Sequence, residues 1–156
     1  MIITKVEVIH LLKNFIKSIF KKEPDRVSVN VEYTEPLLMV RLAVNDRLCA
    51  WMQCVVESET TILIGDIRHH KESADYNKGY GTRMMKELLT YAREHHFDCV
   101  YGNLSEVDLD HKDRLHHFYQ KFGFTITEYP EPQGNYYGKI ELYLQKDNVS
   151  NIGGIS

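Results

Sequence analysis

A glycine-containing segment between a strand-like pattern and a helix-like pattern constrains the fold of this chain more than any other feature. It occupies residues 76–82 and reads YNKGYGT. Residues 60–68 before it are short, apolar and β-branched, which predicts a buried strand. From residue 82 to about residue 96, apolar side chains recur at helical spacing and predict an amphipathic helix. The chain is therefore expected to pass from a strand through a glycine turn directly into a helix.

Two interpretations of Gly79 and Gly81 fit this context. The glycines can let the backbone approach an anion and turn its N–H groups toward it, with help from the helix N-terminus. Alternatively, they only make a tight turn. A Walker loop is excluded because no Lys-Ser/Thr pair follows, and a dinucleotide fingerprint is excluded because Met84 stands where its third glycine is required.

Two separate motifs resemble the signatures of the GNAT acetyltransferase superfamily. Residues 76–81 resemble its coenzyme signature [QR]xxGx[GA], with Tyr76 in place of the usual Gln or Arg. Further along, Tyr119, Gly123 and Phe124 match its second signature, YxxxGF, in a helix that is followed by a strand. The resemblance covers about residues 62–143. It implies an α/β protein of the α+β type, with a mixed sheet of about seven strands and flanking helices.

The resemblance also implies an acetyl-CoA-dependent N-acetyltransferase, in which an amine attacks the acetyl thioester directly. Backbone N–H groups near residues 65–67 would stabilise the oxyanion. Tyr119 would protonate the leaving sulfur or hydrogen bond to it, since a phenol with a reference pKa of about 10 is a proton donor at neutral pH. The alternative for Tyr119 is a core aromatic residue. The residues implied in coenzyme binding are Asn77, Lys78, Gly79, Tyr80, Gly81 and Thr82, together with the backbone of Ile67 and Arg68.

The general base that must take the ammonium proton is not obvious in the sequence. Asp66, late in the predicted strand, and Glu59, at its start, are the two candidates. Each is also consistent with an ordinary solvated charge.

The remaining pattern predicts one domain over residues 1–145 and a loose tail over residues 146–156. A helix over residues 5–20 is expected to turn an apolar face inward, formed by Val8, Ile9, Leu12, Phe15, Ile16 and Ile19. The predicted strands are 27–33, 37–44, 47–56, 61–68, 99–104, 124–128 and 136–144. Short turns at residues 34–36 and 45–46 predict successive antiparallel hairpins.

One departure from the resembled family concerns the acceptor pocket. Family members usually place two helices between their first two strands, where they wall this pocket, but residues 34–36 leave room only for a turn. The helix at residues 5–20 is the candidate to replace them. No acceptor specificity is therefore carried over from the family.

Composition excludes several classes of function. A net charge of −3 gives no global basis for nucleic-acid binding. No transmembrane or signal-peptide run is seen, so no membrane partner and a cytoplasmic location are expected. Cys49, Cys54 and Cys99 fall in predicted strands without metal-ligand spacing, as expected of buried thiols in a reducing compartment. The paired histidines also lack metal-ligand spacing, so no metal is expected.

The acceptor is expected to be a small-molecule or protein amine, and the chain a monomer or a homodimer. The acidic residues Glu106, Asp108, Asp110 and Asp113 either are solvated or attract a cationic amine. The principal alternative to an enzyme is a non-catalytic module that binds acetyl-CoA for regulation or partner recognition, because no clear base is present.

Overall fold

The computed structural model describes residues 2–70 and 79–146. Its elements in chain order are α1 (Lys5–Ile19), β1 (Val27–Thr34), β2 (Leu37–Val44), β3 (Arg47–Ser58), β4 (Thr61–His69), α2 (Tyr80–Glu94), β5 (Cys99–Ser105), a 3-10 helix (Glu106–His111), α3 (Lys112–Lys121), β6 (Thr125–Gln133) and β7 (Tyr136–Tyr143). Every predicted strand and helix is confirmed, whereas the 3-10 helix was not predicted and β6 is longer than predicted. The single domain and its tail stay predictions, and residues 147–156 lie outside the described residues.

The seven strands form one sheet in the order β1-β2-β3-β4-β5-β7-β6. The first four strands make an antiparallel meander with tight turns. At the second of these turns Asn45 and Asp46 both have positive φ, 51° and 65°, as short hairpin turns require. The connection through α2 makes β4 and β5 parallel. The predicted mixed sheet is therefore confirmed.

Helix α2 provides the main contact between the helices and the sheet. Its buried residues are Met84, Met85, Leu88, Leu89 and Ala92, the face that the apolar spacing predicted. They belong to one core with fully buried residues of the strands, among them Leu38, Val40, Met52, Ile62 and Val100. Burial of this face holds α2, and with it the N-terminus of the helix, against the sheet.

The inward face predicted for α1 is wrong. No residue of this helix is buried; Leu12 is 53% exposed and Phe15 is 62% exposed. Its contact with the other described elements is at most marginal. The helix begins with a capping box between Thr4 and Glu7, so its local signals are satisfied. An amphipathic pattern identifies the apolar side of a helix but not a surface to cover it, and β1 passes directly into β2 without a segment that would hold α1 on the sheet.

A β-bulge interrupts the pairing of β3 with β4. Gln53 pairs with Asp66 and Cys54 pairs with Ile64, so Gly65 is the extra residue. A Cβ atom at Gly65 would lie 3.0 Å from the backbone oxygen of Gln53, so only glycine fits without a shift of the backbone. On its other side β4 pairs with β5 only from Thr61 to Ile64. The two parallel strands therefore part at the bulge.

Substitution of Gly65 by alanine should destabilise the fold by about 1–3 kcal/mol, because the new methyl group meets a backbone carbonyl that cannot rotate away. Gly81→Ala is the matched control, since its Cβ would lie 3.4 Å from the Phe118 ring, a side chain that can adjust. Urea unfolding of both variants measures the difference. Equal midpoints would contradict the constraint placed on the bulge.

Two leucine truncations should separate the core helix from the exposed helix. Leu88→Ala should cost about 2–5 kcal/mol of the free energy of unfolding, because Leu88 is fully buried. Leu12→Ala should cost less than about 0.5 kcal/mol, because Leu12 lies at the surface and alanine is a good helix former. A large loss for Leu12→Ala in thermal or urea unfolding would show that α1 packs against the domain.

Candidate functional site

A gap between β4 and β5 begins where the two strands part. Beyond Ile64, the described residues of β4 pair only with β3. Beyond Gly102, the described residues of β5 pair only with β7. Successive residues of a strand direct their N–H and C=O groups to opposite neighbours. Some backbone groups of residues 65–68 therefore face the gap. The predicted oxyanion donors and the coenzyme-contacting residues Ile67 and Arg68 lie on this edge.

The N-terminus of α2 follows the same strand in the chain. Gly79 precedes the helix with φ of +75°, a left-handed conformation that favours glycine, and it has no side chain to cap the helix. Tyr80, Gly81 and Thr82 form the first turn, where backbone N–H groups have no partner within the helix. This end of α2 can therefore hold an anion. The predicted contacts Asn77 and Lys78, like Tyr76, lie outside the described residues.

Tyr119 on α3 lies beside the bulge. It is 7% exposed, and its ring packs edge-on against Phe118 and Phe124. Burial, with repulsion from Asp108, raises the pKa of Tyr119 well above its ordinary value. The neighbouring Cys54 thiol, whose own pKa burial raises to about 12, also contributes to this shift and hydrogen bonds with the Gly65 backbone. Tyr119 is therefore a neutral phenol, able to donate a proton next to the gap.

Helices α2 and α3 contact each other beside the Gly81 position. The Phe118 ring would lie 3.4 Å from a Cβ atom at Gly81. One turn further, Lys121 Nζ donates a hydrogen bond to Thr82 Oγ1 at 2.9 Å. These contacts fix the first turn of α2 relative to Tyr119.

An open groove of about 600 Å³ runs along the two helices from this contact. It is lined by Thr82, Lys86, Leu89, Thr90, Arg93, Lys121 and Phe122. Lys86, Arg93 and Lys121 give it a positive charge suited to phosphate. These three cations were not predicted from the sequence. The recurrence of Thr82, Lys86 and Arg93 on one face of a helix is the signal that could have indicated them.

The two predicted bases are placed less favourably. Asp66 lies at the gap, but its carboxylate accepts a hydrogen bond from Arg68 Nε. Glu59 lies in the turn between β3 and β4, at the end of β4 opposite to the N-terminus of α2. The structure therefore places Asp66 on the strand edge beside Gly65, paired with Arg68, and leaves Glu59 at the far end of β4.

A second polar cluster, not predicted from the sequence, lies where α3 meets β6 and β7. Tyr137 Oη is 3.1 Å from His116 Nε2, and His116 Nδ1 is 3.8 Å from Glu128 Oε1. Lys112 Nζ donates to Glu128 Oε2 at 2.8 Å. Burial raises the pKa of Tyr137, and the carboxylates of Glu128 and Asp108 raise it further. Asp108 thus influences both Tyr119 and Tyr137. These residues come from separate elements, so no local motif could have indicated them.

Residues 2–70 and 79–146 contain neither a metal-binding cluster nor a membrane-spanning helix. No group of three or more His, Cys, Asp or Glu residues in this part of the chain is arranged to hold a metal ion. None of the helices described there has the length and apolar character needed to cross a membrane.

Three solved structures with the same fold are distant from this chain in sequence. A GNAT family acetyltransferase from Elizabethkingia anophelis with acetyl-CoA bound superposes with a TM-score of 0.59 at 15% identity, covering 78% of this chain and 100% of that one. The ribosomal-protein-S18-alanine N-acetyltransferase of Escherichia coli gives 0.56 at 13% identity, covering 81% and 99%. PaiA N-acetyltransferase from Thermoplasma acidophilum in complex with coenzyme A gives 0.55 at 13% identity, covering 86% and 69%.

Sequence comparisons give a family and one partial relative. The uncharacterized protein YocC of Bacillus subtilis (strain 168) is 38% identical over 68 residues, which are 44% of this chain and 38% of YocC. The chain thus matches well under half the length of this curated relative. The model of the acetyltransferase (GNAT) family matches residues 7–124, which include the bulge, the first turn of α2 and Tyr119. The chain therefore belongs to the GNAT acetyltransferase family.

Proposed function

We propose that this protein is an acetyl-CoA-dependent N-acetyltransferase that transfers an acetyl group to a primary amine. The strongest support is that three different groups lie around one gap. They are the strand edges that part at Gly65, the first turn of α2, and the buried phenol of Tyr119. Acyl transfer from a phosphate-bearing thioester can use all three. Family membership and the coenzyme-bound structures with this fold point to the same donor.

The coenzyme would lie with its phosphates on α2 and its thioester at the gap. In this arrangement the backbone of Gly79, Tyr80, Gly81 and Thr82 binds the diphosphate, with Asn77 and Lys78 completing the loop. Lys86, Arg93 and Lys121 bind the remaining phosphate in the groove. The backbone of Ile67 and Arg68 hydrogen bonds to the amide-containing arm of the coenzyme along the edge of β4.

Transfer would then proceed by direct attack of the amine on the thioester carbon. Backbone N–H groups of β4 near Gly65 stabilise the oxyanion, since fixed donors at the position of developing charge lower the barrier. Tyr119 gives its proton to the departing thiolate and takes one from the newly formed ammonium group. Its raised pKa keeps it protonated, and therefore ready to donate, at neutral pH.

The acceptor is proposed as a small-molecule or protein amine, met in the cytoplasm by a monomer or a homodimer. The carboxylate of Asp108, which already acts on Tyr119, favours a cationic amine at the gap. One observation favours the alternative of a non-catalytic acetyl-CoA-binding module: Asp66 is paired with Arg68, and Glu59 is remote. Binding of acetyl-CoA without transfer to any amine would support this alternative.

Acetyl-CoA should raise the melting temperature of the purified protein. A ligand that binds only the native state adds about 2.7 kcal/mol to the free energy of unfolding when its concentration is a hundred times its dissociation constant. Gly81→Asp should abolish this shift, because a carboxylate enters the phosphate site. Gly81→Asn, of equal size but neutral, is the matched control and should retain part of it. Dephospho-coenzyme A and ATP serve as reference ligands. An equal shift of the melting temperature by acetyl-CoA in wild type, Gly81→Asp and Gly81→Asn would refute the placement of the coenzyme.

Tyr119→Phe should lower kcat by about 100-fold while changing acetyl-CoA affinity little, because only the proton donor is lost. Free-thiol release with a panel of primary amines measures kcat, and calorimetry measures affinity. Tyr136→Phe removes a hydroxyl from a side chain that is 44% exposed and serves as the control. An unchanged kcat in Tyr119→Phe would remove this tyrosine from the chemistry.

A further inference from the structure

We propose that Tyr137, His116 and Glu128 form a proton relay that removes the proton of the incoming ammonium group. The proposal rests on the proposed acetyl transfer and supplies the base that this reaction requires. Tyr137 is the residue that would touch the amine, whereas His116 and Glu128 are positioning residues that act through it. The three residues are called the Tyr137 relay below.

The relay links a buried phenol by one hydrogen bond to a partly exposed imidazole, which lies beside a half-exposed carboxylate. Tyr137 is 7% exposed, and its Oη atom is 3.1 Å from His116 Nε2. The His116 ring lies nearly parallel to the Tyr137 ring, with an interplanar angle of 21°. His116 Nδ1 is 3.8 Å from Glu128 Oε1, and the Glu128 side chain is 47% exposed. A proton taken up at the buried end therefore has a route to the surface.

The surroundings of His116 favour the tautomer that a relay needs. The Glu128 carboxylate beside Nδ1 favours a proton on that nitrogen, which leaves Nε2 to accept from the Tyr137 hydroxyl. Lys112 donates a hydrogen bond to Glu128 and lowers the pKa of that carboxyl group, so it stays ionised. The charge of Glu128 is then available to stabilise His116 once the imidazole is protonated.

The relay lies at the end of the sheet where the gap opens. Tyr136 pairs with Ser105 and Gly138 pairs with Leu104, so Tyr137 lies beside the end of β5 beyond its separation from β4. Tyr137 and Asp108 both contribute to the raised pKa of Tyr119, which requires the three groups to be near one another. Attack demands that the amine nitrogen lie about 3–3.5 Å from the thioester carbon. An amine held there is flanked by Tyr119 on the leaving-group side and by Tyr137 on the acceptor side.

The proton transfers balance over one turnover. The ammonium group gives one proton to Tyr137 Oη as the Tyr137 hydroxyl proton passes to His116 Nε2. The N–C bond forms, the C–S bond breaks, and a second nitrogen proton reaches the thiolate through Tyr119. His116, whose side chain is 16% exposed, then releases its proton to solvent. The products are the amide, free coenzyme A and one proton.

Three single variants test the relay, and one matched control accompanies them. His116→Gln retains a hydrogen-bond acceptor for Tyr137 but cannot take a proton. Tyr137→Phe removes the hydroxyl, and Glu128→Gln removes the charge at a half-exposed position. His117→Gln alters the adjacent, exposed histidine and should behave like wild type. Thiol release is measured from pH 5.5 to 9.5 with acetyl-CoA and three probes: a diamine, a lysine-containing peptide and a peptide with a free N-terminus.

The expected result is a loss of about 100-fold in kcat/KM at neutral pH for His116→Gln and Tyr137→Phe. The rates of both variants should rise tenfold per pH unit up to the pKa of the amine, because only the free-amine fraction then reacts. In wild type the relay supplies the base, so the rate should depend less steeply on pH. Glu128→Gln should show an intermediate loss, and the double variant of His116 and Tyr137 should lose no more than either single variant.

Failure of the relay can be distinguished from failure of the proposed acetyl transfer. If wild type transfers acetyl to the probes and His116→Gln keeps its rate and pH profile, the relay is wrong and the acetyltransferase proposal stands. If wild type binds acetyl-CoA but transfers to none of the probes, both proposals are overturned. Calorimetric acetyl-CoA affinity within twofold of wild type shows that each variant is folded. Should Tyr137→Phe fail this test, His116→Gln and Glu128→Gln still decide the matter.

Discussion

The parting of β4 and β5 is the constraint on which the rest of this structure depends. Two parallel strands that remain paired leave no room for a ligand between them, and their backbone groups satisfy one another. Here the extra residue Gly65 shifts the register against β3, and pairing with β5 stops at the preceding residue. The consequence is a row of backbone groups without partners among the described strands. In the proposed function, those same groups would bind the thioester and its amide-containing arm.

Charge is divided between two parts of the proposed site. Lys86, Arg93 and Lys121 line the open groove along α2 and α3. Asp108 acts on both phenols, Tyr119 and Tyr137, and Glu128 acts on Tyr137. A donor rich in phosphate and an acceptor that carries an ammonium group would each meet the opposite charge. Such an arrangement would orient both substrates before any specific contact forms.

The sequence predicted the parts of the molecule that local patterns determine. Alternation and turn residues located the strands, helical spacing identified the buried face of α2, and the two glycines with Tyr119 marked the family. Three features could not be predicted. The exposure of α1 depends on whether another surface covers the helix. The bulge at Gly65 depends on the register of two strands. The Tyr137 relay depends on residues that only the fold brings together. Each of these three features depends on how distant segments meet, which the periodicity of a sequence does not indicate.

The position of β7 links the site to the order in which the chain is made. This last described strand is inserted between β5 and β6 and carries Tyr137. Until it is present, β5 has an open edge, and β6 has no partner among the described strands. The β1–β4 meander can form from local contacts during synthesis, whereas the half of the sheet that contains β5 must wait for distant pairing. A nascent chain that stops before residue 136 therefore exposes an unpaired edge of β5 and lacks Tyr137, so the proposed acceptor side of the site would form only after β7 has been made.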